Sequence, residues 1–350
     1  MPRVAGIDPG TVTLDVRGLD DGRVYLDESW PTADALADPD AFVSRLTRGG
    51  QLELVAGPSG YGLPLCRAAG VSDADLRLAF LAAPDDPGGI GGIRSFARRL
   101  GSSGLPVVYL PGVVHLDTVP VHRKLNRVDM GTADKLCATA LAIQDRHERT
   151  GQPLDEISLV LLELGGAFTA GVAVEQGQVV DGLGGTGGPI GWRAAGALDA
   201  EVAFLAGQVS KDMLFGGGVE SVARRSPARA ALAVEAFLEG AVKLARQLLV
   251  SAPRADEILL SGRRAEDPEV RERLARELAD VGPVRWLKGS GGKARQAAQG
   301  AALLADGLAG GRYAPLVDRL RIREAEGTVL DHLYVISPDA ARRRLGLDGA

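Results

Sequence analysis

The sequence predicts an α/β protein built from two duplicated domains with a cleft between them, and three observations carry that prediction. The apolar run Val4 to Ile7 ends in Asp8-Pro9-Gly10-Thr11, an acid followed by glycine and a hydroxyl. The same device returns as Glu163-Leu164-Gly165-Gly166 after a second apolar run, and a set of short alternating strands follows each turn. The chain of 350 residues also exceeds the size at which one core stops growing, so two domains are the expected arrangement.

In chain order, Arg3 to Asp8, Thr11 to Gly18 and Gly22 to Trp30 read as three strands, with Asp20-Asp21-Gly22 supplying hairpin chemistry. Ala33 to Leu46 reads as a helix, Leu52 to Ala56 as a strand, Asp73 to Leu81 as a helix and Pro106 to Leu110 as a buried strand. Thr132 to Glu148 has Leu136, Ala140 and Ile143 at helical spacing. The meander then restarts with Ser158 to Leu162, Phe168 to Glu175 and Gln178 to Val180, turned by Glu175-Gln176-Gly177. A helix over Pro227 to Leu249, a strand over Glu257 to Leu260, a helix over Pro268 to Leu278, a strand over Val284 to Leu287 and a helix over Lys293 to Leu308 follow. The expected domains are 1–130 and 131–311, with helix 131–148 near the hinge. Residues 312–350 read as a charged appendage with one strand-like run, Leu333 to Ile336, and no assignable role.

Composition narrows the function classes. Hydrophobic residues at 45%, charged residues at 24% and a mean hydropathy of +0.05 describe an ordinary globular chain. Glycine is the outlier: 47 residues, against a usual share of roughly 7%, gathered at 88–92, 182–191, 216–218 and 289–292. Such clusters let backbone approach a ligand closely. A net charge of -5 with interspersed signs offers no stripe for a nucleic-acid backbone, so no nucleic-acid partner is expected. Cys66 and Cys137 have no metal spacing and read as reduced structural residues. With no signal-peptide pattern and no apolar run near the ~20 residues of a span, a cytoplasmic protein without a membrane partner is expected.

The segment Leu162 to Asp199 is the most specific. Glu163-Leu164-Gly165-Gly166-Ala167-Phe168-Thr169, Gly177, Asp181, Gly187-Gly188-Pro189 and Arg193-Ala194-Ala195-Gly196 fall in one order. That order resembles the acetate and butyrate kinase branch of the sugar kinase, actin and Hsp70 ATPase superfamily. There the second phosphate turn reads roughly His-Leu-Gly-x-Gly-x-Ser and the glycine-rich stretch ends in Arg-x-Gly. Ile258-Leu259-Leu260-Ser261-Gly262 resembles the adenosine turn of the branch, and Lys293 to Ala301 its closing helix. The resemblance spans about residues 3–310, and its nearest match is a mostly archaeal group named butyrate kinases on similarity. It implies two actin-like (ribonuclease H-like) domains, ATP and Mg2+ as cofactors, a small-molecule acceptor such as a short-chain carboxylate, and a possible homodimer.

Phosphoryl transfer needs backbone N–H groups around the phosphates, a metal ion, and positive charge where the transferring group becomes electron-rich. Gly10, Thr11, Gly165 and Gly166 are the candidate N–H donors, with Thr169, Gly187, Gly188, Ser261 and Gly262 completing the nucleotide contacts. Asp8 and Glu163 are the candidate Mg2+ carboxylates, acting mostly through water. Taken alone, Asp8-Pro9-Gly10 is also a common β-turn.

Arg193 matches the arginine that closes the glycine-rich stretch and is the candidate for charge stabilisation, with a surface ion pair as the alternative. Asp117, in His115-Leu116-Asp117-Thr118, resembles the Phe-Asp-Thr segment of acetate kinases and is the candidate catalytic carboxylate; otherwise it caps a turn before Pro120. Asp134, in Gly131-Thr132-Ala133-Asp134-Lys135, stands at a helix start that orients an anion, or is an ordinary first-turn acid.

The chain also departs from the branch. Met130 replaces the histidine before Gly-Thr, leaving Arg127, Lys124 or His122 to take over its donation. No arginine matches the acceptor anchor of the first domain, Arg67 being the nearest cation, and Arg263-Arg264 replaces a second glycine in the adenosine turn, where it either stacks on a base or is solvated. Two other readings therefore stay open: a nucleotide-gated regulatory ATPase, and a kinase for a sugar or another hydroxyl with Asp117 or Asp134 as base.

Overall fold

The computed structural model describes residues 2–10, 12–48, 50–57, 60–83 and 93–347. Thr11 and the glycine cluster 88–92 lie outside the described residues.

The chain divides into two compact units. The first comprises Met1–Val128, Thr132–Arg149 and Gly289–Ala350, and the second Asp129–Gly131 and Thr150–Lys288. Strands β1 (Arg3–Pro9), β2 (Thr13–Asp20), β3 (Arg23–Pro31), β4 (Leu54–Gly57), β5 (Cys66–Arg67) and β6 (Val107–Tyr109) form the sheet of the first unit, in the order β3-β2-β1-β4-β6-β5. Strands β7 (Leu159–Leu164), β8 (Thr169–Glu175), β9 (Gln178–Leu183), β10 (Ile258–Ser261) and β11 (Val284–Trp286) form the second sheet, in the order β11-β10-β7-β8-β9. Read from the outer meander strand inward, both sheets repeat one plan. Three antiparallel strands are followed by two parallel ones, with the first strand of the meander third in order, and the first sheet adds β5 as an antiparallel edge strand beside β6.

Register follows the pleat. Ile7 pairs with Val16 and Asp8 with Asp15 across β1 and β2, while Leu161 pairs with Val172 across β7 and β8. The hairpins that close the two meanders share one turn chemistry: Asp21 and Gly22 have φ of 52° and 71°, Gln176 and Gly177 52° and 72°. Two consecutive left-handed residues match the twist of the flanking strands.

Each sheet buries its own apolar set. Ile7, Leu14, Phe42, Leu46, Phe96 and Tyr109 form the core of the first unit, and Val160, Leu162, Phe237, Leu244, Leu248 and Leu260 that of the second. The helices covering them differ in kind. Helix Gln296–Leu308 lies so close to β1 that a Cβ on Gly6 would stand 2.1 Å from the Ala302 amide nitrogen, and one on Gly300 1.8 Å from the Cys137 carbonyl oxygen of helix Ala133–Thr150. Helix Ala230–Leu249 instead meets its sheet through bulky side chains, with Leu248 Cδ1 against Gly171.

Several expectations are corrected. The helix expected over 33–46 is two, Thr32–Ala37 and Pro39–Leu46, because Pro39 starts a new first turn whose Ala41 amide donates to Asp38 at 2.9 Å. The long helix after Pro227 begins as a 3-10 turn and is α-helical from Ala230. The last helix of the second copy starts at Gln296, because residues 289–295 form a pinned loop. Leu333 to Ile336 is not a strand; the Tyr334 and Val335 amides donate to Asn126 Oδ1 at 2.7 and 3.0 Å.

The units also divide the chain differently from 1–130, 131–311 and 312–350. Helices Ala133–Thr150 and Gln296–Leu308 belong with the first sheet, since only their small residues allow the approach at Gly6 and Gly300. The C-terminal appendage is part of that core, with Val317, Leu320 and Ile322 fully buried. Helices Ile93–Gly101, Ala200–Ala206 and Val219–Arg225 were not anticipated.

Candidate functional site

In the second unit, Glu163, next to last in β7, pairs directly with Ser261 at the end of β10. Gly262 follows with φ of 85°, and a Cβ there would meet the Leu164 carbonyl oxygen at 2.5 Å and the Gly165 nitrogen at 3.0 Å. The two turns are thus in backbone contact, which only glycine permits. Gly165 donates its N–H to Phe168 O at 2.9 Å, closing the turn, whereas a Cβ on Gly166 would meet nothing within 4 Å. Ser261 is 1% exposed and its hydroxyl has no hydrogen-bond partner among the described residues. A buried unpartnered hydroxyl is costly unless a ligand or water completes it. The structure therefore brings Glu163, Gly165, Gly166, Ser261 and Gly262 together.

Thr169 stands apart from that group. It is fully buried and its hydroxyl donates to Ile190 O at 3.2 Å, which fixes the glycine-rich stretch to β8. Gly187 donates to Gly184 O at 3.1 Å, and Gly188 accepts from the Ala197 amide at 2.7 Å, so both shape the stretch from within. Arg193 is half-buried, with its amide on Ala167 O at 3.1 Å and its carbonyl accepting from Gly218 at 2.8 Å.

Arg264 is not simply solvated. Its guanidinium lies 3.6 Å from the ring centroid of Trp192, which packs edge-on against Phe237. Burial lowers its pKa, partly offset by Glu220. This stack ties the turn after β10 to the residue preceding Arg193.

Sequence reasoning missed the carboxylates that organise the glycine loops. Asp129 Oδ2 accepts from the Thr186 amide at 3.0 Å and hydroxyl at 2.9 Å, and a Cβ on Gly184 would collide with its carboxylate at 1.7 Å. In the first unit Asp27 takes the Lys293 and Ala294 amides at 2.7 and 2.8 Å, and Arg17 bonds Gly291 O. Two of the glycine clusters are therefore clasped by the protein's own carboxylates. The signal was present only as isolated acids far away in sequence.

In the first unit, Asp8 ends β1 and is half-buried, and Gly10 accepts from the Thr32 hydroxyl at 2.7 Å. Asp134 lies in the first turn of helix Ala133–Thr150, with the Thr132 hydroxyl and, at 2.7 Å, the Lys135 ammonium on its carboxylate. Burial works to raise its pKa, but the Lys135 charge and the hydrogen bonds outweigh it and the carboxyl is held low. Burial and the charges of Asp134 and Asp8 push the Cys137 thiol well up, so Asp8 and Asp134 act on one region and Cys137 is not a nucleophile. Lys135 is the cation there that sequence reasoning passed over.

Asp117 follows a 3-10 turn, Val113–His115, and is bound by Arg321 at 2.6 Å. The substitutes considered for the missing histidine do not converge on it as donors. Met130 is 1% exposed, Lys124 is buried with its ammonium on Leu116 O at 2.8 Å, and Arg127 and His122 are exposed. Arg67 is exposed on β5. His115 is buried against Gly112 O at 3.3 Å, and burial lowers its pKa to about 4.

Among the described residues no group of three or more His, Cys, Asp or Glu side chains is gathered to cage a metal, and no helix is long and apolar enough to cross a membrane. One or two carboxylates at a phosphate turn suit Mg2+, which keeps several waters and takes the remaining ligands from substrate phosphates. Glu163 beside the unpartnered Ser261 hydroxyl fits that donor set.

Comparison with known proteins bears on the fold. An acetate kinase from Entamoeba histolytica superposes with a TM-score of 0.56 at 11% identity, over 80% of this chain and 87% of that one. A propionate kinase from Francisella tularensis gives 0.59 at 13% identity, over 86% and 99%. An acetate kinase from Porphyromonas gingivalis gives 0.54 at 13%, over 81% and 88%. No curated protein matches by sequence. These likenesses place this chain in the same fold as the acetate and propionate kinases it resembles. The model of the family described as protein of unknown function (DUF1464) matches residues 6–335, and the chain belongs to that family.

Proposed function

We propose that the protein is an ATP- and Mg2+-dependent phosphotransferase acting on a small molecule, with a short-chain carboxylate as the favoured acceptor. The observation that carries this reading is the joined pair of turns in the second unit. Glu163, open Gly166, Gly262 and the unpartnered Ser261 hydroxyl lie at the ends of neighbouring parallel strands. Ligands of open α/β sheets bind at the carboxyl ends of the strands.

In this reading Glu163 of the second unit is a carboxylate that would hold Mg2+ through its waters, with Asp8 the matching acid of the first unit; the ion would neutralise phosphate charge, and Gly165 and Gly166, like Gly10 and Thr11 in the first unit, would offer phosphate donors. Arg193 stabilises the transferring group. An acceptor carboxylate oxygen attacks the γ-phosphorus, a C(O)O–P bond forms as the bond to the β-phosphate oxygen breaks, and ADP leaves. Asp117 is the carboxylate proposed to act on the acceptor. Asp134, already bound to Lys135 and Thr132, is better suited to holding the helix start than to taking a proton.

One observation favours a nucleotide-gated regulator instead: Met130 is buried where the branch has a histidine, and Lys124 is committed to a backbone carbonyl. A hydroxyl acceptor is the third reading. The separating experiment is ADP release from Mg-ATP with a panel of carboxylates and sugars, hydroxylamine being present to trap acyl phosphate. Hydroxamate with one carboxylate is the expected result, and Glu163→Gln should lower that turnover roughly 10- to 100-fold. Turnover with a sugar and no hydroxamate would move the acceptor to a hydroxyl. ATP binding with no acceptor-dependent turnover would establish the regulator.

A further inference from the structure

The C-terminal segment packs against the candidate catalytic carboxylate. Helix Ala314–Leu320 and the 3-10 turn Ile322–Glu324 are anchored by Leu316, Val317, Leu320 and Ile322, none more than 1% exposed. Between them Arg321 has φ of 53°, a left-handed conformation that disfavours side chains other than glycine. The turn sends Ile322 into the core and leaves the Arg321 guanidinium 2.6 Å from Asp117 Oδ2, with the two side chains 46% and 29% exposed.

Half-exposed ion pairs add little stability, so the apolar anchors, not this pair, hold the segment in place. Lys124, Glu326 and Asp331 also face this corner, and the Glu326 amide donates to His115 O at 3.0 Å. Lys124 is a second cation near Asp117, and its ammonium donates to Leu116 O at 2.8 Å. Direct contact with the carboxylate falls to Arg321. The family match, which runs to residue 335, includes this segment.

We propose that Arg321 is a positioning residue: its guanidinium holds the Asp117 carboxylate in one orientation for the transfer step, which makes the C-terminal segment a working part of the site. The inference rests on the phosphotransferase reading and on Asp117 as its carboxylate. A guanidinium offers a planar fork to a carboxylate, whereas a lysine offers only a point charge. The proposal therefore distinguishes the two cations.

The test uses the full chain with Mg-ATP and the acceptor found by hydroxamate trapping. It compares wild type, Asp117→Asn, Arg321→Gln, Arg321→Lys and the double variant Asp117→Asn/Arg321→Gln. Arg321→Gln is expected to lower kcat on the order of 10- to 100-fold with KM for ATP unchanged. Arg321→Lys should recover part of that loss, and the double variant should be no slower than Asp117→Asn alone. Arg323→Gln, on the same segment but paired with Asp318, should leave kcat unchanged. If Arg321→Gln does not fold, a kcat for Arg321→Lys equal to wild type overturns the proposal. Multiplying losses in the double variant, or an unchanged kcat in Arg321→Gln, would also overturn it while leaving the phosphotransferase reading intact. A wild-type protein with no acceptor-dependent transfer would remove both.

Discussion

Strands β1 and β7 occupy the same place in two sheets that share a five-strand order, the first with β5 added at its edge, yet their surroundings differ in how close the covering helix comes. Gly6 in β1 lets the backbone of helix Gln296–Leu308 touch the sheet, whereas in the second unit a Cβ on Gly171 of β8 would first meet the tip of Leu248, at 2.6 Å, with Leu162 Cδ2 and the Leu161 carbonyl oxygen beyond 3 Å. The first unit is closed by backbone against backbone and the second by side chains that can rotate. One topology therefore tolerates two packing solutions, and the tighter one leaves less room for error.

The largest effect should come from that contrast. Gly6→Ala is expected to destabilise by about 3 kcal/mol or more, because the added methyl meets main-chain atoms that cannot move independently. Gly171→Ala should cost about 1 kcal/mol, since Leu248 can change rotamer. Urea titration of both variants checks this, and equal costs would erase the distinction.

The units also differ in acid response. All four histidines, at 115, 122, 147 and 332, fall in the first unit. An unfolded histidine protonates near 6.5, whereas folded His115 does so at about 4 because burial disfavours its charge. The unfolded state therefore binds more protons between those values. The stability held by a neutral His115 is complete above the unfolded pKa and falls as pH drops towards 4, by roughly 3 kcal/mol. Burial raises Asp15 and Asp306, which gain stability on acidification, but they are common to wild type and His115→Gln. The difference in urea midpoint between those two proteins should thus shrink from pH 7 to pH 4. Hydrogen exchange should open the first unit before the second, and simultaneous opening would contradict the contrast.

The smallest effect concerns the clasped loops. Asp129→Asn and Asp27→Asn should each cost about 1–3 kcal/mol by weakening carboxylate bonds to loop amides. Asp129→Asn should raise exchange at 184–186 and Asp27→Asn at 291–294. Spread of either effect into the other loop would show that the two clasps are coupled.

The duplicated plan was legible because each meander writes its own period, and the left-handed pairs Asp21-Gly22 and Gln176-Gly177 mark its turns. Glu163-Leu164-Gly165-Gly166 and Ser261-Gly262 were legible as separate turns, but their contact depends on the parallel pairing of β7 with β10. Asp27 and Asp129 gave no local signal, since each acts on amides 57 or more residues away. The tail had no legible role in the sequence because its charges outnumber its apolar anchors, and only burial shows which of them matter.

Alternation, turn residues and glycine placement act over a few neighbours, so the sequence by itself determined the strands, most of the helices and the two acidic-glycine turns. Which unit each helix joins, which carboxylates close the glycine loops, and that Arg321 meets Asp117 were decided by tertiary structure alone. Those choices depend on the approach distances of segments far apart in the chain, and a single Cβ at Gly6, Gly184 or Gly300 is enough to forbid them.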